Sequence, residues 1–169
     1  MDHSEIVRRV RDAGVQLVFF LYCDNGGIIR GKSTHVSGLE ERLSAGIGLT
    51  VAMQAMSDMD KLQSVEGMGP VGEIRLVPDP GTLTVLPYAP KRAIMLADMV
   101  RLDQQPWEAC PRSFLKRMLK QAESQGFSIK AAFEPEWTLA TRDGGSFKTC
   151  DESLCFSSLG TIAPLDWMA

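Results

Sequence analysis

An α+β fold, with a mixed sheet wrapped around one helix, is predicted for the first hundred residues by three features of the sequence. Two strand-forming runs flank the turn Asp24-Asn-Gly-Gly27. A short amphipathic stretch, Ser37 to Leu43, follows them. Further runs of strand-forming residues then lie between Glu73 and Met99. A hairpin, a helix and two or three more strands, in that order, make the element order of a β-grasp.

Taken in order, Asp2-His-Ser-Glu5 has the form of a capping box, with Asp2 as N-cap and Glu5 at N3, ahead of Ile6, Val7 and Val10 at helical spacing. Gly14 ends that helix. Val15 to Cys23 reads as a largely buried strand, and Asp24-Asn-Gly-Gly27 turns it into Ile28 to Lys32, completing a hairpin. Ser37 is the expected cap of a short helix that places Leu39 and Leu43 on one face and stops at Gly46.

From Ile47 to Gly72 no period is sustained, so the segment is expected to be a long loop with one helical turn. Its methionines, Met53, Met56, Met59 and Met68, suit adaptable packing. Glu73 to Val77 is a strand, Pro78-Asp-Pro-Gly81 a turn, Thr82 to Leu86 the return strand, and Ala93 to Met99 a further strand. The turn lacks the spacing and lysine of a phosphate loop.

The polar stretch Arg101 to Glu108 fits a seam between two domains, placed at residues 1–104 and 105–169. Pro111 suits the first position of the next helix, whose apolar stripe is Phe114, Leu115, Met118, Leu119 and Ala122, with Gly126 as terminator. Arg142-Asp-Gly-Gly145 then turns the chain toward a second candidate strand pair within residues 146–158.

Composition narrows the function classes. The chain has 169 residues, 44% of them apolar and 23% charged, which fits a soluble globular protein. A net charge of −3 with scattered Lys and Arg leaves no electrostatic footprint for nucleic acid or an anionic membrane. The longest apolar run, Val15 to Cys23, is far short of the ~20 residues a bilayer span needs. The acidic start Met-Asp-His-Ser-Glu does not read as a secretory signal, making a cytoplasmic location the default. Cys23, Cys110, Cys150 and Cys155 form no C-x-x-C pair and share no zinc spacing with His3 or His35. They are read as reduced thiols, and His35 as a surface residue.

The stretch Ile129 to Leu139 carries the candidate chemistry, because it sets Glu134 and Glu136 inside an otherwise apolar run. As a strand it would place both carboxylates on one face, about 6 to 7 Å apart at a rise of roughly 3.3 Å per residue. That spacing admits a hard divalent cation between or beside them. Pro135 removes a ladder donor and puts such a strand at an edge or a bulge. The plain alternative is an edge strand whose two acids face water.

The run Phe133-Glu-Pro-Glu-Trp-Thr-Leu139 resembles the Glu-x-Glu-aromatic strand that opens the catalytic domain of the glutamine synthetase family. Arg75-Leu-Val-Pro-Asp-Pro-Gly-Thr-Leu83 resembles that family's proline-rich turn between strands. Asp98 with Cys110-Pro-Arg-Ser-Phe-Leu-Lys-Arg117 resembles the entry to its first catalytic-domain helix. The resemblance covers roughly residues 14 to 140. It implies a β-grasp N-terminal domain followed by the beginning of a glutamine-synthetase-type catalytic domain. It also implies an ATP-dependent ligase that joins ammonia or an amine to the γ-carboxylate of glutamate through γ-glutamyl phosphate.

On this resemblance Glu134 and Glu136 would be ligands of Mg²⁺ or Mn²⁺. The partners would be glutamate, ATP and ammonia or an amine, with subunits stacked in rings as homo-oligomers. No catalytic residue is assigned, because the family's nucleotide and glutamate sites fall beyond residue 169. The chain is therefore expected to be a truncated, inactive fragment. One departure bears on substrate: where glutamine synthetases carry an acid that holds ammonium, this chain has Leu49-Thr50-Val51-Ala52-Met53, none of them a base at neutral pH. That implies a bulkier or already neutral amine.

Two rival readings remain. One is a β-grasp binding module without chemistry. The other, a glycoside hydrolase using Glu134 and Glu136, meets the objection that its two acids must flank the scissile bond from opposite sides.

Overall fold

In a computed structural model the chain is described over residues 2–136 and 138–150. Trp137, Cys155 and the part of the second candidate strand pair beyond residue 150 lie outside the described residues. The chain divides into two compact units, Met1–Ile129 and Lys130–Ala169.

The first unit begins with α1, His3–Asp12, capped as its sequence implies: the Asp2 side chain accepts from the Ser4 N–H. Two strands, β1 (Leu17–Cys23) and β2 (Ile29–His35), pair antiparallel from Leu17 opposite His35 to Cys23 opposite Ile29. The helix α2, Leu39–Ala45, follows a 3₁₀ turn over Val36–Gly38. Its N-cap is Gly38 rather than Ser37. The extra turn is set by His35, whose ring Nδ1 accepts from the Ser37 N–H at 3.2 Å.

Next come β3 (Ile47–Thr50), a 3₁₀ turn over Val51–Ala55, β4 (Glu73–Pro78), the two-residue β5 (Thr84–Val85) and β6 (Arg92–Val100). The expected loop from Ile47 therefore starts with a strand, β3, which pairs antiparallel with β4.

The strands run β2-β1-β6-β4-β3, with β5 beside β6. The central pair, β1 and β6, is parallel, and the other pairings in this sheet are antiparallel. This is the β-grasp arrangement that the element order implied. Alternation along β1 and β6 buries Val18, Phe20 and Tyr22 with Ala93, Met95, Ala97 and Met99. These residues pack in one core with Ile6, Val7 and Val10 of α1, Leu39 and Leu43 of α2, and Ile74 and Leu76 of β4. The sheet curls until its two end strands approach: the Lys32 ammonium of β2 donates to the Gly48 carbonyl of β3 at 2.5 Å.

Arg101 to Glu108, the stretch resembling a seam, lies within this first unit, and so does α3 (Pro111–Ser124), which has a proline in its first turn. Charge ties α3 to the sheet. Arg112 donates to Asp98 of β6 at 2.9 Å and to Asp79 at 2.7 Å, and Lys116 reaches Asp98 at 2.6 Å. The apolar stripe read from the sequence exists but is exposed on this unit: Phe114 is 53% and Leu115 56% accessible.

In the second unit, β7 (Ala140–Asp143) and β8 (Ser146–Thr149) form a hairpin around Gly144 and Gly145. No helix among the described residues is long and apolar enough to cross a membrane.

Candidate functional site

The acid pair is not on a strand. Residues 130–136 have no regular secondary structure, and Glu134 and Glu136 are both exposed. The expected strand fails for a physical reason. Pro135 supplies no ladder donor, and among the described residues no strand pairs with this stretch to accept the bonds that would hold it extended. Two carboxylates also fall short of the six oxygens an octahedral divalent ion requires. Among the described residues no group of three or more His, Cys, Asp or Glu side chains is placed to hold a metal. The pair alone therefore does not make a closed Mg²⁺ or Mn²⁺ site.

The structure draws polar side chains together elsewhere, where the β1–β2 turn meets the segment after β3. Asp24 directly follows the first strand, with its carboxylate fully buried. One oxygen accepts from the Ile28 N–H at 2.8 Å, closing the turn, and the other accepts from the Arg30 Nε at 2.6 Å. Arg30 then bridges outward to Asp60 at 2.8 Å. The Asn25 amide donates to the Gln54 carbonyl at 3.1 Å, which fastens the turn to the segment a second time.

That segment is folded back on itself. Ser57 N donates to Lys61 O, Gln63 N donates to Ala55 O, and Asp60 sits at φ 60 in the left-handed region. Gln54 anchors its start: the side chain is buried, donating to Met99 Sδ at 3.0 Å and to the Cys23 carbonyl at 3.4 Å. Leu49 to Met53, the stretch that lacks a base, spans the end of β3 and the 3₁₀ turn. The Thr50 hydroxyl there is already engaged by the Ala52 N–H at 3.4 Å.

Sequence reasoning saw Asp24 only as turn chemistry and did not single out Arg30 or Asp60. One signal was available. In a tight hairpin an acid at the end of the first strand and an arginine two residues into the second are cross-strand neighbours.

Among the carboxyls held below their ordinary value, Asp24 and Asp79 are tied to an arginine. Burial would push Asp24 up, but the Arg30 hydrogen bond, the Ile28 N–H and the Arg30 charge outweigh it, so its pKa lies below the ordinary 3.8. Asp79 is lowered chiefly by its hydrogen bond from Arg112, against partial burial. A carboxyl depressed in the folded state stabilises the fold above its unfolded value and loses that contribution as pH falls through the lower folded value. Stability of the chain is therefore expected to be level in this respect above about pH 5 and to fall below pH 3.8. Urea denaturation at stepped pH checks this. In Asp24→Asn the acid-side slope should be shallower.

The family model for the glutamine synthetase N-terminal domain matches residues 1–107. The chain is 28% identical over 170 residues to a gamma-glutamylanilide synthase from an Acinetobacter species, a match covering 93% of this chain and 33% of that protein. It is 31% identical over 134 residues to a gamma-glutamylpolyamine synthetase from Streptomyces coelicolor, covering 78% of this chain and 29% of that one. A solved structure described as a novel glutamine synthase homolog superimposes with a TM-score of 0.59 at 34% identity, covering 66% of this chain and 27% of its own. The chain thus spans about a third of the length of the curated relatives it matches.

Proposed function

Because the chain belongs to the glutamine synthetase family through that family's N-terminal domain, we propose that it serves an ATP-dependent ligase joining an organic amine to the γ-carboxylate of glutamate. The observation that carries this reading is the match over residues 1–107, taken with relatives named for γ-glutamyl amides of amines. The absence of any ionisable group in Leu49 to Met53 supports an amine over ammonia. An ammonium ion at that stretch would have no anion to pair with, whereas a bulkier or already neutral amine has apolar contact to gain there.

On this reading residues 1–104 are the β-grasp domain and residues 105–169 belong to the beginning of the catalytic domain. Glu134 and Glu136 would each give one carboxylate to Mg²⁺ or Mn²⁺, whose remaining ligands come from outside the described residues. ATP would activate the γ-carboxylate as an acyl phosphate, a step that needs cations around the transferred phosphoryl group. Subunits would assemble into rings. The 169-residue chain alone would not perform the reaction, since its two exposed acids enclose neither metal nor nucleotide.

A domain exchange tests the reading. Residues 1–107 would replace the corresponding N-terminal part of the Acinetobacter relative. The chimera is expected to form γ-glutamyl amide with consumption of ATP. A chimera that assembles like its parent yet makes no γ-glutamyl product with any amine would contradict it.

A further inference from the structure

Asn25 is the only asparagine in the chain, and a glycine follows it directly. Both residues are exposed in the β1–β2 turn. The Asn25 side chain also fastens that turn to the segment after β3, because its Nδ2 donates to the Gln54 carbonyl at 3.1 Å. A side chain that serves as a donor loses the contact once its nitrogen is replaced by a carboxylate oxygen.

We propose that Asn25 is a site of spontaneous deamidation, and that its conversion unfastens the fold-back after β3 from the hairpin turn. The Gly26 nitrogen forms a bond to the Asn25 Cγ and the Cγ–Nδ2 bond breaks, closing a cyclic imide. The Gly26 proton passes through solvent to the departing nitrogen, which leaves as ammonia. Water then adds to either imide carbonyl and breaks that carbon's bond to the Gly26 nitrogen. Opening at Cγ gives aspartate; opening at the main-chain carbon gives isoaspartate, whose backbone runs through Cγ. Water enters, ammonia leaves, and nothing is oxidised or reduced.

Three features of the turn carry the inference. Gly26 has no Cβ to shield its nitrogen, so the approach to the Asn25 Cγ is sterically open. Asn25 faces solvent, which supplies both base and water. Neither product fits the native contacts. Aspartate sets an acceptor against the Gln54 carbonyl and adds a charge next to the buried Asp24 carboxylate. Isoaspartate lengthens the backbone by a carbon atom. That shifts the Gly27 N–H and the Ile28 carbonyl, which bond to the Asp24 carbonyl at 3.1 Å and the Asp24 N–H at 2.9 Å, out of register. The native turn also slows the reaction, because it holds the Asn25 amide at Gln54 and the Gly26 N–H at the Asp24 carboxylate.

The test keeps the 169-residue chain in mildly alkaline buffer, native and in urea, and follows its digested peptides by mass. The native chain is expected to accumulate aspartate and isoaspartate in place of Asn25, roughly tenfold more slowly than the unfolded chain. The converted chain carries an added negative charge and is separated by anion exchange. Its Ser57, Asp60 and Gln63 amides, all bonded within the fold-back, should then exchange hydrogen roughly tenfold faster, with those of β1 and β6 unchanged. Asn25→Asp, which carries the aspartate without the chemical step, should loosen the same amides.

A native chain that keeps Asn25 intact while the unfolded chain converts would overturn the site. Unchanged exchange at Ser57, Asp60 and Gln63, in both the converted chain and Asn25→Asp, would overturn the unfastening.

Discussion

Asp24→Ala is expected to destabilise the chain by about 3 kcal/mol, read as a lower urea midpoint at unchanged slope. The substitution leaves the Ile28 N–H without the acceptor that closes the turn. It also strips Arg30, only 18% accessible, of its closer partner. Breaking a buried pair costs roughly 3 to 5 kcal/mol because the surviving charge stays uncompensated. Here Asp60 still faces Arg30, which holds the effect to the lower end. Asp24→Asn keeps an oxygen for Ile28 and should cost about half as much. A loss no larger than that of an exposed acid such as Asp60→Ala would mean that the turn does not depend on the buried carboxylate. Against a total stability of about 5 to 15 kcal/mol for a domain, the expected loss is large.

Gly46→Ala is the second severe substitution, with an expected cost of about 3 kcal/mol or more. Gly46 ends α2 at φ 68 and ψ −171, backbone that is essentially restricted to glycine. A methyl group there would lie 2.6 Å from the Leu76 carbonyl oxygen, a backbone atom of β4 that cannot swing aside. The position is tight because the chain leaves α2 and enters β3 at once, with β3 laid against β4. Gly14→Ala is the control. It shares a positive φ of 69 but has nothing within 4 Å of the added carbon, so its cost should be near 1 kcal/mol, the backbone penalty alone. Equal losses at the two glycines would remove the steric part of the argument.

Legibility in the sequence followed how local each determinant was. The β1–β2 hairpin rests on four consecutive turn residues and α2 on Leu39 and Leu43 one turn apart, both visible in short windows. The strands β4 and β6 declared themselves by aliphatic runs between prolines and charges. The missed strand β3 has four residues and a glycine, too little pattern to outweigh a loop; it exists because β4 supplies a ladder beside it.

Long-range determinants were hidden. Asp79, Asp98, Arg112 and Lys116 are scattered over 38 positions yet converge to seat α3. Glu134 and Glu136 show the converse. Alternation and a family resemblance suggested a shared strand face, but a strand is held by its neighbours, and the described residues place none beside it. The fold-back after β3 was legible only as a methionine-rich stretch without a period, because it is held by Arg30 and Asn25 reaching across from the hairpin turn.

The central claim is that this β-grasp domain belongs to a ligase that takes an organic amine in preference to ammonia. The chimera carrying residues 1–107 tests it most directly when given glutamate, ATP, and equal concentrations of ammonium and isopropylammonium, its products separated by mass. The γ-glutamyl isopropylamide is expected to exceed glutamine by roughly tenfold or more. Glutamine as the main product would contradict the claim.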